Sequence, residues 1–263
     1  MYDVGLTAPS GAFDCTPAEA AEHVAATGAD GFEFWNWEDA DLDAVADSAA
    51  EHGVEAFGTL AAGAGSNISD PDAPSLVDPE SHEQAVRDLE RSIEAAASFG
   101  GRQVVTTVGQ RDPTLDRSTQ QNALVDALRA AAPAAEDAGV TVVVEPLNTR
   151  VDHPGYFLTT TDRGAELVAA VDSPNVKLLF DVYHQQITEG DVIRRFRRHV
   201  DAIGHVHVAD NPGRGPPGTG ELAYDRIYDA IAETGYDGYV TAECFVEGDP
   251  ADVFSTFVSE ARR

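Results

Sequence analysis

The sequence predicts an α/β fold, a single closed (β/α)8 TIM barrel occupying residues 1–263, and three observations lead there. Eight apolar, β-branched runs recur at near-regular intervals along the 263 residues. Ala-rich segments with helical spacing separate them. The length suits one barrel, and no linker or change of composition marks a second domain. An open doubly wound sheet is the competing arrangement, but the stretch after the first run, "TAPSGAFD", lacks a Gly-rich dinucleotide fingerprint. That argues against a nucleotide cofactor.

Taken in order, the strand runs are "YDVGLT" (2–7), "GFEFWNW" (31–37), "VEAFGTL" (54–60) and "RQVVTTVG" (102–109), then "VTVVVEP" (140–146), "VKLLFDVYH" (176–184), "IGHVHVAD" (203–210) and "GYVTAECF" (238–245). After the first comes "TPAEAAEHVAATG", where Thr16 can cap, Pro17 suits the first helical position and Glu19 closes a capping box. Gly28, Gly53, Gly100, Gly139 and Gly235 stand where helices should end.

The chain carries 46 acidic against 17 basic residues, a net charge of −29, and Lys177 is its one lysine. The acidic residues are spread throughout, as a solvated surface would spread them. Such self-repulsion is screened at about 1 M salt, where the Debye length falls to roughly 3 Å. A halophilic, salt-requiring protein of a high-salt cytoplasm is expected. The same charge argues against nucleic acid, which demands a basic footprint. Cys15 and Cys244 are too few for a disulfide framework, and no run of about 18 apolar residues suggests a membrane span. The sequence leaves homo-oligomerisation open.

In such a barrel the functional groups sit at the carboxyl ends of the strands and in the loops that follow. Strand five ends at Glu145, strand six at Asp181 with His184 just beyond, strand seven reaches His207, and strand eight ends at Glu243. Three buried carboxylates near one another would unfold the site or hold protons unless something positive neutralised them. A divalent cation would, and three carboxylates with one imidazole suit Mg²⁺ or Mn²⁺, with Co²⁺ or Zn²⁺ tolerated. His205 and His207 share a face of their strand, so both look into the barrel, with His205 about one layer deeper. We expect His207 as a ligand and His205 as a core or supporting group. The Gly- and Pro-rich stretch "NPGRGPPGTGE" that follows reads as a rim loop that lets Arg214 turn over the mouth. Glu145 and Glu243 face each other across the barrel, one on each side of a bound substrate, which suits a proton moved between adjacent carbons.

The stretches "VEPLNTRVDHPGYFLTTT", "VKLLFDVYHQQITEGD", "IGHVHVADNPGRGPPGTGELAY" and "GYDGYVTAECF" resemble hydroxypyruvate isomerase, within the xylose-isomerase-like barrels that include ketose 3-epimerases and a DNA-repair endonuclease. The resemblance implies interconversion of hydroxypyruvate and tartronate semialdehyde, with Glu145 and Glu243 exchanging the proton and binding the metal. It also implies that Asp181 and His207 complete the metal site and that His184 and Arg214 hold substrate oxygens. Two positions depart from the isomerase pattern. His207 stands where that family carries an amide and the ketose epimerases a histidine, and "ECFVEGDP" lacks the Tyr-Lys-Pro expected after the strand-eight glutamate.

The rival expectations are a ketose 3-epimerase, a non-catalytic sugar-binding protein with Phe34, Trp35 and Trp37 as its binding wall, and a nuclease. The nuclease would need about three metals. Strands two and three offer it Glu33 and aromatic residues, with His82 and His153 as loop candidates.

Overall fold

The computed structural model describes residues 2–263. Its strands are β1 (Asp3–Thr7), β2 (Gly31–Phe34), β3 (Glu55–Leu60), β4 (Gln103–Thr106), β5 (Thr141–Val144), β6 (Val176–Asp181), β7 (Ile203–Val208) and β8 (Tyr239–Ala242). All neighbours pair in parallel, and β8 closes on β1 through registers such as Val4 with Val240. The expected (β/α)8 barrel is therefore the fold.

The helices begin and end where local chemistry says they should. Thr16 Oγ1 accepts from the Glu19 backbone N–H at 3.2 Å while the Glu19 carboxylate accepts from the Thr16 N–H at 2.9 Å, which starts the helix Pro17–Thr27. That helix stops at Gly28, whose φ of 81° a side chain would resist. Gly53 and Gly139 cap their helices in the same way, whereas Gly100 and Gly235 fall one residue beyond the caps Phe99 and Thr234.

Three details depart from the sequence reading, each for a local reason. The strands are shorter than the apolar runs, so Glu145 and Glu243 stand one residue beyond β5 and β8. At β5 the cause is Pro146, which has no N–H for the ladder. The sixth run stops at Asp181 because its carboxylate accepts from the His184 N–H at 2.9 Å and caps the helix Val182–Thr188. Extra helices also occupy Pro9–Phe13 and Val192–His199, so the repeat is not a strict strand-helix alternation.

Alternation along the strands sorts the side chains. Val4, Leu6, Phe32, Phe34, Val104, Val142 and Val240 face the helices in the main core. Val105, Val143 and Leu179, with Trp35 and Leu60 against them, form a separate apolar plug within the barrel. Each fully buried Val or Leu contributes about 1.5–3 kcal/mol, so this plug is a packed floor and not a channel. Below it Phe57 and Tyr239 stack at 3.8 Å, and a cavity of about 470 Å³ opens at the amino end between Gln103, Lys177 and Tyr239. Above the plug the inward positions turn polar.

Candidate active site

Glu145, Asp181, His207 and Glu243 converge at the carboxyl end of the barrel, with one ligand-type atom from each within 4.8 Å of the others. They come from the ends of β5 and β6, from β7, and from just past β8, and the fold brings together all four residues that the strand ends suggested. Glu145, Asp181 and His207 are buried, and the Glu243 side chain is 24% exposed. Among the described residues, Glu145 Oε1 and Asp181 Oδ2 are buried without a hydrogen-bond partner. A buried carboxylate oxygen left bare costs several kcal/mol, so this is a donor set arranged for a positive group. Three carboxylates and an imidazole fit a divalent cation.

The charges show the same tension. Burial, then the neighbouring Glu243 and Asp181, push the Glu145 carboxyl well above the usual range, against the pull of His207 and Arg214. Burial raises Asp181 to about 6 despite Arg214. Glu243 is also penalised by burial, but Arg214 and His207 outweigh it and hold the acid down at about 2. Burial opposes charge on His207 as well, yet Glu33 and Glu243 lift it well above an ordinary imidazole. The same surroundings thereby push the two glutamate carboxyls in opposite directions.

Arg214 roofs the cluster. Its guanidinium pairs with Glu243, lies 3.6 Å from Asp181 and sits 5.4 Å from the Tyr183 ring. The residue takes a φ of 56°, unusual for a side-chain-bearing residue, within the rim loop after β7. Asp210 shapes that loop, its carboxylate accepting from the N–H groups of Asn211, Gly218 and Leu222. A Cβ at Gly220 would lie 2.4 Å from the Asn211 carbonyl, so only glycine closes the loop.

His184 lies beside the cluster on the helix after Asp181, fully buried, with Nε2 3.8 Å from Asp181. Its Nδ1 receives the Asn148 backbone N–H at 3.3 Å and faces the Asn148 side-chain nitrogen at 2.8 Å. With Nδ1 so occupied as an acceptor, the proton belongs on Nε2, which lacks a partner among the described residues. Burial, reinforced by Arg214, lowers its pKa to about 3, so the ring is a neutral donor at the edge of the site.

Sequence reasoning passed over several participants. Asn148 and Asp152, joined at 2.6 Å, follow Glu145 on the rim. The ring of His153, considered only as a loop candidate for a nuclease, lies 5.3 Å from His184. Glu33, considered only for a nuclease, is fully buried against His205 and His207. The alternation of "GFEF" was the available signal for an inward Glu33, but nothing in sequence says that β2 faces β7 across the axis. Of the three residues expected to form an aromatic wall, Trp35 lies within the barrel against the apolar plug and the other two do not join it. Phe34 packs outward against Phe99, and Trp37 lies on the surface turn beneath Arg91.

Fold and site place the chain in a known group of barrels, since the profile of the xylose isomerase-like TIM barrel family matches residues 21–256. The chain belongs to that family. It is similar to the 2-oxo-tetronate isomerase of Cupriavidus necator, 39% identical over 153 residues that cover 58% of each chain. It is also similar to the hydroxypyruvate isomerase of Escherichia coli, 34% identical over 162 residues, 61% of this chain and 62% of that one. The matches therefore span about three fifths of these relatives' length. Among solved structures, the family 2 AP endonuclease from Brucella melitensis superimposes with a TM-score of 0.87 at 26% identity, covering 98% of both chains.

Proposed function

We propose that this protein is an isomerase of short hydroxy-oxo acids that interconverts hydroxypyruvate and tartronate semialdehyde, with Glu145 and Glu243 as its proton-transfer pair. The observation that carries the reading is the split pair itself. Two carboxyls at one mouth, one just past β5 and the other just past β8, lie within ligand distance of each other and are pushed in opposite directions by their neighbours. The two relatives named for oxo-acid isomerases support the substrate class.

Glu145, Asp181, His207 and Glu243 would hold a divalent cation, Mg²⁺ or Mn²⁺ by the donor chemistry, which when bound supplies Lewis-acid polarisation of a carbonyl. The chain's own groups do the rest. One glutamate takes a proton from the hydroxymethyl carbon, a proton returns to the adjacent carbon from the other, and the hydroxyl proton passes between the two oxygens. No oxidant is consumed. The Arg214 fork binds the substrate carboxylate after release from Glu243, and the His184 Nε2–H donates to a substrate oxygen. The ketose 3-epimerase reading uses the same proton transfer, and His207 favours it because the epimerases carry histidine there.

Proton NMR in heavy water with Mg²⁺ and molar salt tests the assignment, using hydroxypyruvate and a ketohexose with wild type and Glu243→Gln. Deuterium entering hydroxypyruvate with tartronate semialdehyde appearing, both absent in the variant, is the expected result. Exchange at C3 of the ketohexose alone moves the protein to the epimerases, and no exchange with either sinks the chemistry. The net charge of −29 extends the proposal to a salt-requiring protein of a high-salt cytoplasm, which an unchanged circular dichroism spectrum after dialysis to low salt would refute.

A further inference from the structure

One layer below the cluster lies a second group of ionisable side chains, Glu33, His205 and His207, whose ligand-type atoms are also within 4.8 Å of one another. His207 belongs to both groups. Its Nδ1 faces Glu243 at 3.1 Å, and its Nε2 faces Glu33 Oε1 at 2.6 Å. The same Oε1 accepts the Thr7 hydroxyl at 2.7 Å and lies 3.2 Å from His205 Nε2. His205 is held in turn beside the Thr241 hydroxyl at 3.2 Å.

An imidazole offers a lone pair at one nitrogen only when its proton sits on the other. A carboxylate at Nε2 selects the Nε2–H form and fixes the ring plane, leaving Nδ1 for the upper cluster. We infer that Glu33 is a positioning residue, anchored by Thr7, that holds His207 with its Nδ1 turned into the Glu145, Asp181 and Glu243 cluster. Glu33 is grouped with the two histidines and not with the upper carboxylates, so it acts through His207. The inference rests on reading the upper cluster as a cation site. Glu33 Oε2 and His205 Nδ1 have no partner among the described residues, so the rival reading, a second cation at this lower group, is an outcome of the test.

Calorimetric titration of metal-free protein with Mn²⁺ tests this, beside NMR of the His207 Nε2–H in the metal-free and Mg²⁺-loaded forms. Wild type is expected to bind one Mn²⁺ per chain. Glu33→Leu, which removes the acceptor, weakens binding about 10- to 100-fold and loses the slowly exchanging Nε2–H signal. Glu33→Gln, whose carboxamide oxygen still accepts, falls between the two and carries the test if Glu33→Leu does not fold. Val143→Ala lowers the melting temperature through the apolar plug yet leaves Kd unchanged, which separates positioning from general loosening. Glu33 variants with wild-type Kd and a retained Nε2–H signal overturn the inference, as do two Mn²⁺ per chain falling to one in those variants. If wild type binds no Mn²⁺ the cation reading fails by itself, and the inference is then decided by whether Glu33→Leu abolishes the His207 signal.

Discussion

Glu33 and Glu145 are both buried inside the same barrel, one on β2 and the other just beyond β5, yet their carboxyls are driven in opposite directions. Burial penalises the charge on each. Around Glu33 two imidazoles outweigh that penalty, and its carboxyl falls far below the usual range. Around Glu145 the neighbours are Glu243 and Asp181, and the carboxyl rises. Each acid keeps one buried oxygen without a partner among the described residues, Oε2 of Glu33 and Oε1 of Glu145, so what separates them is the sign of the neighbouring charges. Neither burial nor a bare oxygen therefore marks a functional acid; a buried acid among like charges does.

The largest expected effect breaks the upper member of the comparison. Glu243→Gln or Glu145→Gln should cut turnover of the substrate identified by exchange about 10²- to 10⁴-fold, measured as kcat under saturating Mg²⁺. Glu145→Gln should at the same time leave the metal-free protein at least as stable as wild type in urea unfolding, because the carboxamide removes a carboxyl from among like charges.

The lower member should behave in reverse. Glu33→Leu leaves the charged, buried His207 without its deeper partner and should destabilise the protein by about 3–5 kcal/mol in the same unfolding assay. A loss under about 1 kcal/mol would mean that the lower group is not the compensated cluster described.

The two regions should also answer pH oppositely in metal-free protein. Asp181 is raised to about 6 when folded, against about 3.9 for an unfolded Asp. The native state then holds a proton that the unfolded chain has lost, so this contribution to stability falls as pH rises from about 4 to about 6 and is level above. Glu33 is lowered, so its contribution is present above the unfolded value near 4.3 and lost as pH falls toward the folded one. Asp181→Asn should remove the decline between about pH 4 and 6, and Glu33→Gln should reduce the acid-side loss, both read from urea midpoints across pH.

The smallest effect sharpens the comparison. Thr7→Val deletes one hydrogen bond to Glu33 and leaves both imidazoles, so it should cost about 1.5 kcal/mol, well short of Glu33→Leu. Equal losses would place the anchoring in Thr7 and not in the charge.

The barrel was legible because its signals are local. Apolar runs at regular spacing, the Thr16 capping box and Gly28, Gly53 and Gly139 at helix ends each act within a few residues, and the fold obeys them. Glu145, Asp181, His207 and Glu243 were legible because parallel strands share one carboxyl end, so four strand ends converge whatever the loops do. Tertiary structure alone decided the pairings across the barrel. Glu33 and His207 lie 174 positions apart, and whether two inward side chains on β2 and β7 meet depends on register and the closure of β8 on β1. The aromatic wall failed for the same kind of reason, since the pleat of β2 sends Phe34 outward and Glu33 inward. The sequence by itself thus determined the elements, the end of the barrel that carries chemistry, and the acids and bases gathered there. Only the folded chain decided which buried acid lies against imidazoles and which among like charges, because that depends on groups brought within about 3 Å by strands far apart in sequence.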